Sequence, residues 1–471
     1  MDMDKDQAYE IACRAVEKLV QKSGPYATFP FDLVWQYAEQ DVPSGQRSHQ
    51  AKRLVKNRYL HPTGRKTKTV SKQRASTITN EYRPGSRFQP SVPPTGAVTD
   101  AISELQTAMD ARGLMITPAE LANFYLALMT SPLVILAGLS GTGKSWVPRL
   151  FAQLIGAEFT ATSVQPQWSD NADLFGYTPS LNPNIFIEGH FTRALRAAVI
   201  TPDKPAIVLL DEMNLAAVEH YFSDFLSVIE TRRREDGAII TDRLPLDLPQ
   251  PGDSDAYQNL RNLRLPFNAR VVGTANMDET TRSFSPKVID RAFVIEFDDV
   301  DLTSFPYYTQ EEINIDHLPV LAQRLVDANS PVSIREVYAK SEPFFNWIAV
   351  LLEDIRQILR PAGISLGYRA RDAILLYMWH WQNDHLLSIL AADAAFDLCV
   401  LQKVLPKVAG VDEALHTALE DLHDWLREKR ENESDASPEA IPLGPFERSA
   451  EKVERMLQRL EIESATTYWG I

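Results

Sequence analysis

Apolar residues recur at helical spacing through the first sixty positions. Ile11, Ala12, Ala15, Val16, Leu19 and Val20 share one face of a first predicted helix, Phe31, Val34, Trp35 and Ala38 of a second, and Ala51, Leu54, Val55 and Tyr59 of a third. His61-Pro62-Thr63-Gly64-Arg65-Lys66 then supplies turn chemistry between two Thr/Val/Lys stretches, which predicts a hairpin. Over residues 83–100 the pattern gives way to Pro, Gly, Ser and Thr, the composition of a linker. Beyond it three short apolar runs, Leu133 to Ala137, Ile207 to Leu210 and Val271 to Thr274, alternate with helical patterns. That order builds a parallel sheet with crossover helices, so an α/β domain is expected over 101–300. Past Asp301 helical spacing dominates, predicting a helical lid and C-terminal region over 301–471. Its last helix, near Ser449 to Leu460, follows a polar interruption from Glu428 to Pro445.

Charge changes the reading of the first segment. The chain of 471 residues has 48 Lys and Arg against 63 Asp and Glu, a net charge of -15, which excludes nucleic-acid binding through bulk charge. Between Arg47 and Arg87, however, twelve basic residues face one acid, Glu81: a local +11 that leaves -26 for the rest. Three helices and a basic wing resemble a winged helix-turn-helix, expected over 1–82. A helix bearing Lys52, Arg53, Lys56 and Arg58 would enter the major groove of duplex DNA, while Arg65, Lys66 and Lys68 would ride the phosphate backbone. Cys13 and Cys399 alone build neither a disulfide framework nor a zinc site. The acidic start lacks the order of a signal peptide and no apolar run reaches membrane length, so a cytoplasmic protein without membrane contact is expected.

The strongest chemical signal is Gly138-Leu139-Ser140-Gly141-Thr142-Gly143-Lys144-Ser145, a full P-loop between an apolar run and a helical pattern. Glycines let backbone N–H groups crowd around phosphate oxygens at the positive end of a helix. Lys144 would pair the β- and γ-phosphates, and the Ser145 hydroxyl would ligate Mg²⁺. Pro148 conflicts mildly with the helix expected after it. The run Ala206 to Leu210 ends in Asp211-Glu212, where Asp211 would hold the metal through water and Glu212 would polarise the attacking water. Asn276, at the end of the run Arg270 to Asn276, would orient the same water.

These residues resemble the AAA+ proteins related to McrB, the nucleotide-hydrolysing subunit of modified-cytosine-specific restriction systems. The similar segments include Gly138 to Ser145, Val164 to Asp170 with Leu174 to Tyr177, Leu210 to Ala216, Tyr221 to Leu226, Gly273 to Thr281, Phe284 to Ala292 and Leu366 to Arg369. The resemblance implies a homo-oligomeric ring, usually a hexamer, with nucleotide between subunits and Arg291 as the finger that completes a neighbour's site. Arg282 is an alternative for that role. It also implies that Arg369 contacts phosphate in its own subunit, that the substrate is ATP or GTP, and that the ring works on DNA beside a separate nuclease. No Glu-x-Lys or Asp-x-Lys triplet occurs, so nuclease chemistry is not expected from this chain. A protein-remodelling ring of the MoxR type is the alternative, in which the basic segment would bind an acidic protein. His380, Asn383 and His385 sit in an apolar helical pattern and read as packing residues, as do Phe222, Phe225, Leu226 and Ile229.

Overall fold

The computed structural model describes the chain except residues 1–4, 24–28, 39–46, 48–49, 51, 55, 57–59, 69–77, 85–96, 250–256, 278–281, 299–314, 339–341, 431–440 and 470–471. It divides into two compact units, Met1–Pro94 and Thr95–Ile471.

In the first unit, α1 (Lys5–Ser23) packs Ala12, Ala15, Val16 and Leu19 against Val34 and Leu54. Val34 belongs to a 3₁₀ turn, Phe31–Gln36, and Leu54 to a stretch in which the described positions 47, 50, 52–54 and 56 are helical. β1 (Phe29–Pro30), β2 (Leu60–Lys68) and β3 (Ile78–Pro84) form an antiparallel sheet in the order β1-β3-β2. Helices followed by a two-strand wing, with the short first strand paired to the last, is the connectivity of a winged helix. The predicted turn at His61 to Lys66 is corrected: those residues lie inside β2. Pro62 and Gly64 shift the register between Pro62 and Lys66 instead of reversing the chain, and β2 is an edge strand, where a missing proline donor is tolerated. Arg58, Lys72, Arg74 and Arg87 lie outside the described residues.

The expected linker is shorter at both ends, since β3 runs to Pro84 and α2 (Ala97–Asp110) begins at Ala97. α3 (Pro118–Thr130) starts on a capping box in which the Glu120 amide donates to Thr117 Oγ1 (3.2 Å) and the Thr117 amide donates to Glu120 Oε2 (2.8 Å). Then follow β4 (Leu133–Gly138), α4 (Trp146–Ile155), β5 (Glu158–Ser163), α5 (His190–Ile200), β6 (Ala206–Asp211), β7 (Ala269–Asn276) and β8 (Phe293–Glu296). The five strands make one parallel sheet in the order β8-β4-β7-β6-β5. Pro148 is harmless because it is the third residue of α4, whose first-turn N–H groups have no intrahelical acceptor.

The C-terminal half is helical: α6 (Leu318–Leu325), α7 (Glu342–Leu359), α8 (Tyr368–Asn383), α9 (Ala392–Lys403), α10 (Glu413–Arg427) and α11 (Glu447–Glu463). The lid was expected to begin at residue 301, and the described residues on the two sides of that position share packing. One hydrophobic core runs from Ala97 to Tyr468. α6 packs on α2 and α4, α8 on α3, and α9 on β8. Buried polar contacts join the same halves: Tyr377 Oη donates to Asn123 Oδ1 (2.8 Å) and Tyr125 Oη to Asp384 Oδ2 (2.8 Å). Among the described residues no helix is long and apolar enough to cross a membrane.

Candidate nucleotide site

Parallel register gathers the predicted residues at the C-terminal ends of the central strands. β7 lies between β4 and β6, with Asn276 opposite Gly138 and Gly273 opposite Leu210. The P-loop thus leaves β4 beside Asn276, one strand from Asp211. Gly141 and Gly143 take φ values of +87° and +91°, conformations that side chains resist, which is why the loop needs glycine there. A Cβ at Gly143 would also meet Leu114, from the loop before α3, at 3.0 Å.

The Ser145 hydroxyl donates to Asp211 Oδ1 at 2.5 Å, and the Thr274 hydroxyl donates to the same oxygen at 2.7 Å. Thr274 Oγ1 also accepts the Glu212 amide (2.9 Å). Glu212 is exposed just past the strand, in a left-handed conformation (φ 54°, ψ 49°) that costs a non-glycine residue on the order of 1 kcal/mol. Asn214, buried, donates to the carbonyls of Asn276 (2.8 Å) and Arg282 (3.3 Å), fixing the turn after β7 to the turn after β6. Thr274 and Asn214 escaped the sequence reading. Their signal was register alone, a hydroxyl and an amide one strand away from Asp211 and Asn276.

Lys144 is buried and donates to the loop's own carbonyls, Gly138 O at 3.0 Å and Leu139 O. Burial lowers its pKa, while Asp298 and Asp211 pull the other way. Asp298, just past β8, accepts the Leu139 amide at 2.8 Å. The oxygens of Ser145 and Asp211 suit a hard divalent cation that takes its remaining ligands from phosphate and water, as Mg²⁺ does. Among the described residues no cluster of three His, Cys, Asp or Glu side chains forms a metal site of its own.

Arg291 and Arg369 are not brought to this P-loop. Arg291 forms an ion pair with Glu230 and donates to Leu226 O (2.9 Å) and Lys287 O (2.7 Å). Arg369, at the start of α8, pairs with the same Glu230 (2.7 Å) and with Asp290. Lys407 pairs with Asp290 at 2.6 Å. Burial alone would raise the Asp290 carboxyl, yet Lys407, Arg369 and Lys403 hold it below its ordinary value. Arg369, expected to contact phosphate in its own subunit, is here tied to Glu230 and Asp290. β8 runs parallel to β4 with Phe293 opposite Val134 and Glu296 opposite Ala137. Arg291 precedes the N-terminal end of that strand and the P-loop follows the C-terminal end of its neighbour. At ~3.3 Å per residue the two levels differ by roughly 15–20 Å, beyond one side chain's reach. Arg282 is exposed on the turn beyond β7.

The phosphate loop, the acids at the end of β6, the asparagine at the end of β7 and the strand order define a P-loop nucleotide-binding domain of the AAA+ class. Residues 133–292 match the AAA domain family of the dynein-related subfamily, and residues 326–465 match a domain of unknown function, DUF8727. Residues 133–292 thus carry an AAA domain. No curated protein matches the chain. Among solved structures, one described as a candidate ATPase from Cytophaga hutchinsonii shares 14% identity over 66% of this chain and 86% of its own, with a TM-score of 0.40, a likeness too loose to carry an argument.

Proposed function

We propose that this chain is an ATP- or GTP-hydrolysing ring motor that acts on duplex DNA within a restriction-type antiphage complex, with a separate nuclease subunit. The observation that carries the ring is the placement of Arg291 and Arg369 at the sheet end opposite the P-loop. Two carboxylates, Glu230 and Asp290, there meet three cationic side chains, Arg291, Arg369 and Lys407. A triphosphate on a neighbouring subunit complements that excess, and a hexamer is the expected closure.

Within the site, Lys144 exchanges its carbonyl partners for phosphate oxygens and the P-loop amides orient the triphosphate. Ser145 and Asp211 would hold Mg²⁺, which neutralises charge on the β- and γ-oxygens. Glu212 accepts a proton from the attacking water, and Asn276 orients that water.

The DNA reading rests on the winged-helix unit and its local charge of +11. In that unit Lys52 and Lys56 are exposed on one helical stretch. Duplex DNA should stimulate hydrolysis by the full chain, with apparent affinity falling steeply as salt rises because each neutralised phosphate releases counterions. Lys52→Gln with Lys56→Gln should reduce the salt slope by about 2. No stimulation at low salt would overturn the reading. A protein-remodelling ring is the second reading, favoured by a hairpin between β5 and α5. Its strands, Gly176–Tyr177 and Ile187–Glu188, and their connecting loop expose Tyr177, Leu181, Ile185 and Ile187. Stimulation by a protein client alone would select it.

A further inference from the structure

Arg291 lies in a three-residue connection, Asp290 to Ala292, between the short helix Pro286–Ile289 and β8. All three carbonyls of this connection are taken by side chains from elsewhere in the fold. Lys403 Nζ donates to Asp290 O at 3.0 Å and to Ala292 O at 2.8 Å, while Ser131 Oγ donates to Arg291 O at 3.3 Å. Lys403 thus grips the backbone on both sides of Arg291. It is the last residue of α9 and is 1% exposed, and its ammonium also lies 5.3 Å from the centre of the Phe293 ring.

A lysine so placed is costly. Burial, with Lys407 adding repulsion and Asp290 opposing it, pushes its pKa down to about 7. A methionine fills similar space without a charge, and replacing buried charges by apolar groups is often neutral or stabilising. Packing therefore does not account for an amine here, whereas two convergent hydrogen bonds to the backbone around Arg291 do. Its neighbour Lys407 holds the Asp290 carboxylate, so two cations at the end of α9 and just beyond it fix one connection.

We propose that Lys403 is a positioning residue for Arg291 in hydrolysis on the neighbouring subunit. It couples α9, within the region that matches DUF8727, to a site that α9 itself does not touch. The proposal rests on the reading of Arg291 as trans-acting. A finger displaced by about 1 Å loses on the order of 100-fold in rate, and nothing in this contact touches the subunit's own P-loop.

The test uses the full chain with Lys403→Met. Turnover of the homogeneous variant should fall about 10- to 100-fold while its nucleotide KM stays within about twofold of the wild type. Mixed with Lys144→Ala chains, which keep fingers but lack a working P-loop, Lys403→Met chains should recover hydrolysis, showing that they fold and bind. Mixed with Arg291→Ala chains they should not recover, because neither partner brings a working finger. Wild-type turnover in Lys403→Met, set against loss in Arg291→Ala, would overturn this proposal alone. Wild-type turnover in Arg291→Ala would overturn the trans-acting reading itself. A Lys403→Met chain that neither binds nucleotide nor recovers in mixture would assign Lys403 to packing, against the proposal.

Discussion

Replacing Thr274 by valine tests whether the αL turn at Glu212 is held for catalysis. Thr274 is buried, and its hydroxyl does two things at once: it accepts the Glu212 amide at 2.9 Å and donates to Asp211 Oδ1 at 2.7 Å. Valine keeps the shape and removes both bonds. The Glu212 N–H is left without its partner, at about 1–3 kcal/mol, and the turn loses the contact that opposes its unfavourable conformation. In the role proposed for it the Glu212 carboxylate matters most when water is being activated, so the loss should fall mainly on turnover. At 1.36 kcal/mol per tenfold it corresponds to a drop in kcat of roughly 5- to 150-fold. Nucleotide affinity should change by less than about threefold, because no P-loop contact is altered. Phosphate release at saturating nucleotide gives kcat, and titration with a fluorescent nucleotide gives Kd. Thr274→Ser, which keeps the hydroxyl, should retain most of the activity. Wild-type kcat in the valine variant would refute the argument. Equal losses in valine and serine would show that the two hydrogen bonds of the hydroxyl are not what sets the rate.

Glu212→Gln should leave nucleotide binding intact and cut turnover by about 100-fold or more, whereas Lys144→Ala should weaken binding itself; near-normal turnover in the glutamine variant would remove Glu212 from its role. His380 predicts a pH dependence of stability. It is 1% exposed, its Nδ1 has no partner among the described residues, and burial, reinforced by Arg324, Arg232 and Arg270, pushes its pKa well below the usual value. The folded chain keeps it neutral while the unfolded chain protonates it below ~6.5, so stability falls with pH below that point by about 1.4 kcal/mol per unit. Thermal midpoints measured between about pH 5 and 7.5 should flatten in His380→Leu, and curves parallel to the wild type would count against this assignment.

The three central strands were legible because each is buried on both faces and reads as a continuous apolar run between turn signals. The two edge strands were not. β5 reads Glu-Phe-Thr-Ala-Thr-Ser, half exposed and polar, and β8 has only four residues, too few to show a period. The P-loop was legible for a local reason, since its glycines meet backbone demands within eight residues. The positions of Arg291 and Arg369 are long-range facts. Glu230 is 61 residues from Arg291 and 139 from Arg369 in the numbering, and it takes the packing of α8 on α3, α7 and α9 to deliver Arg369 to the same carboxylate. Lys403 is legible as a cation at a helix C-terminus, a common electrostatic preference that gives no hint of the two carbonyls it holds.

β8 explains why one C-terminal region attends to both ends of the sheet. Acids stand before and after this strand, Asp290 at its entry and Glu296 and Asp298 at its exit, on an edge packed by helices where unpaired charge is costly. At the entry, Lys403 and Lys407 hold the Asp290 connection and with it the backbone of Arg291. At the exit, Lys452 of α11 pairs with Glu296, the Phe297 amide donates to Ala137 O at 2.7 Å, and Asp298 accepts the amide of Leu139 in the P-loop. A four-residue strand braced by cations of the C-terminal helices thereby links the two places where the proposed ring has one subunit meet nucleotide. One is its own phosphate loop; the other, in the trans role proposed for Arg291, is its neighbour's γ-phosphate.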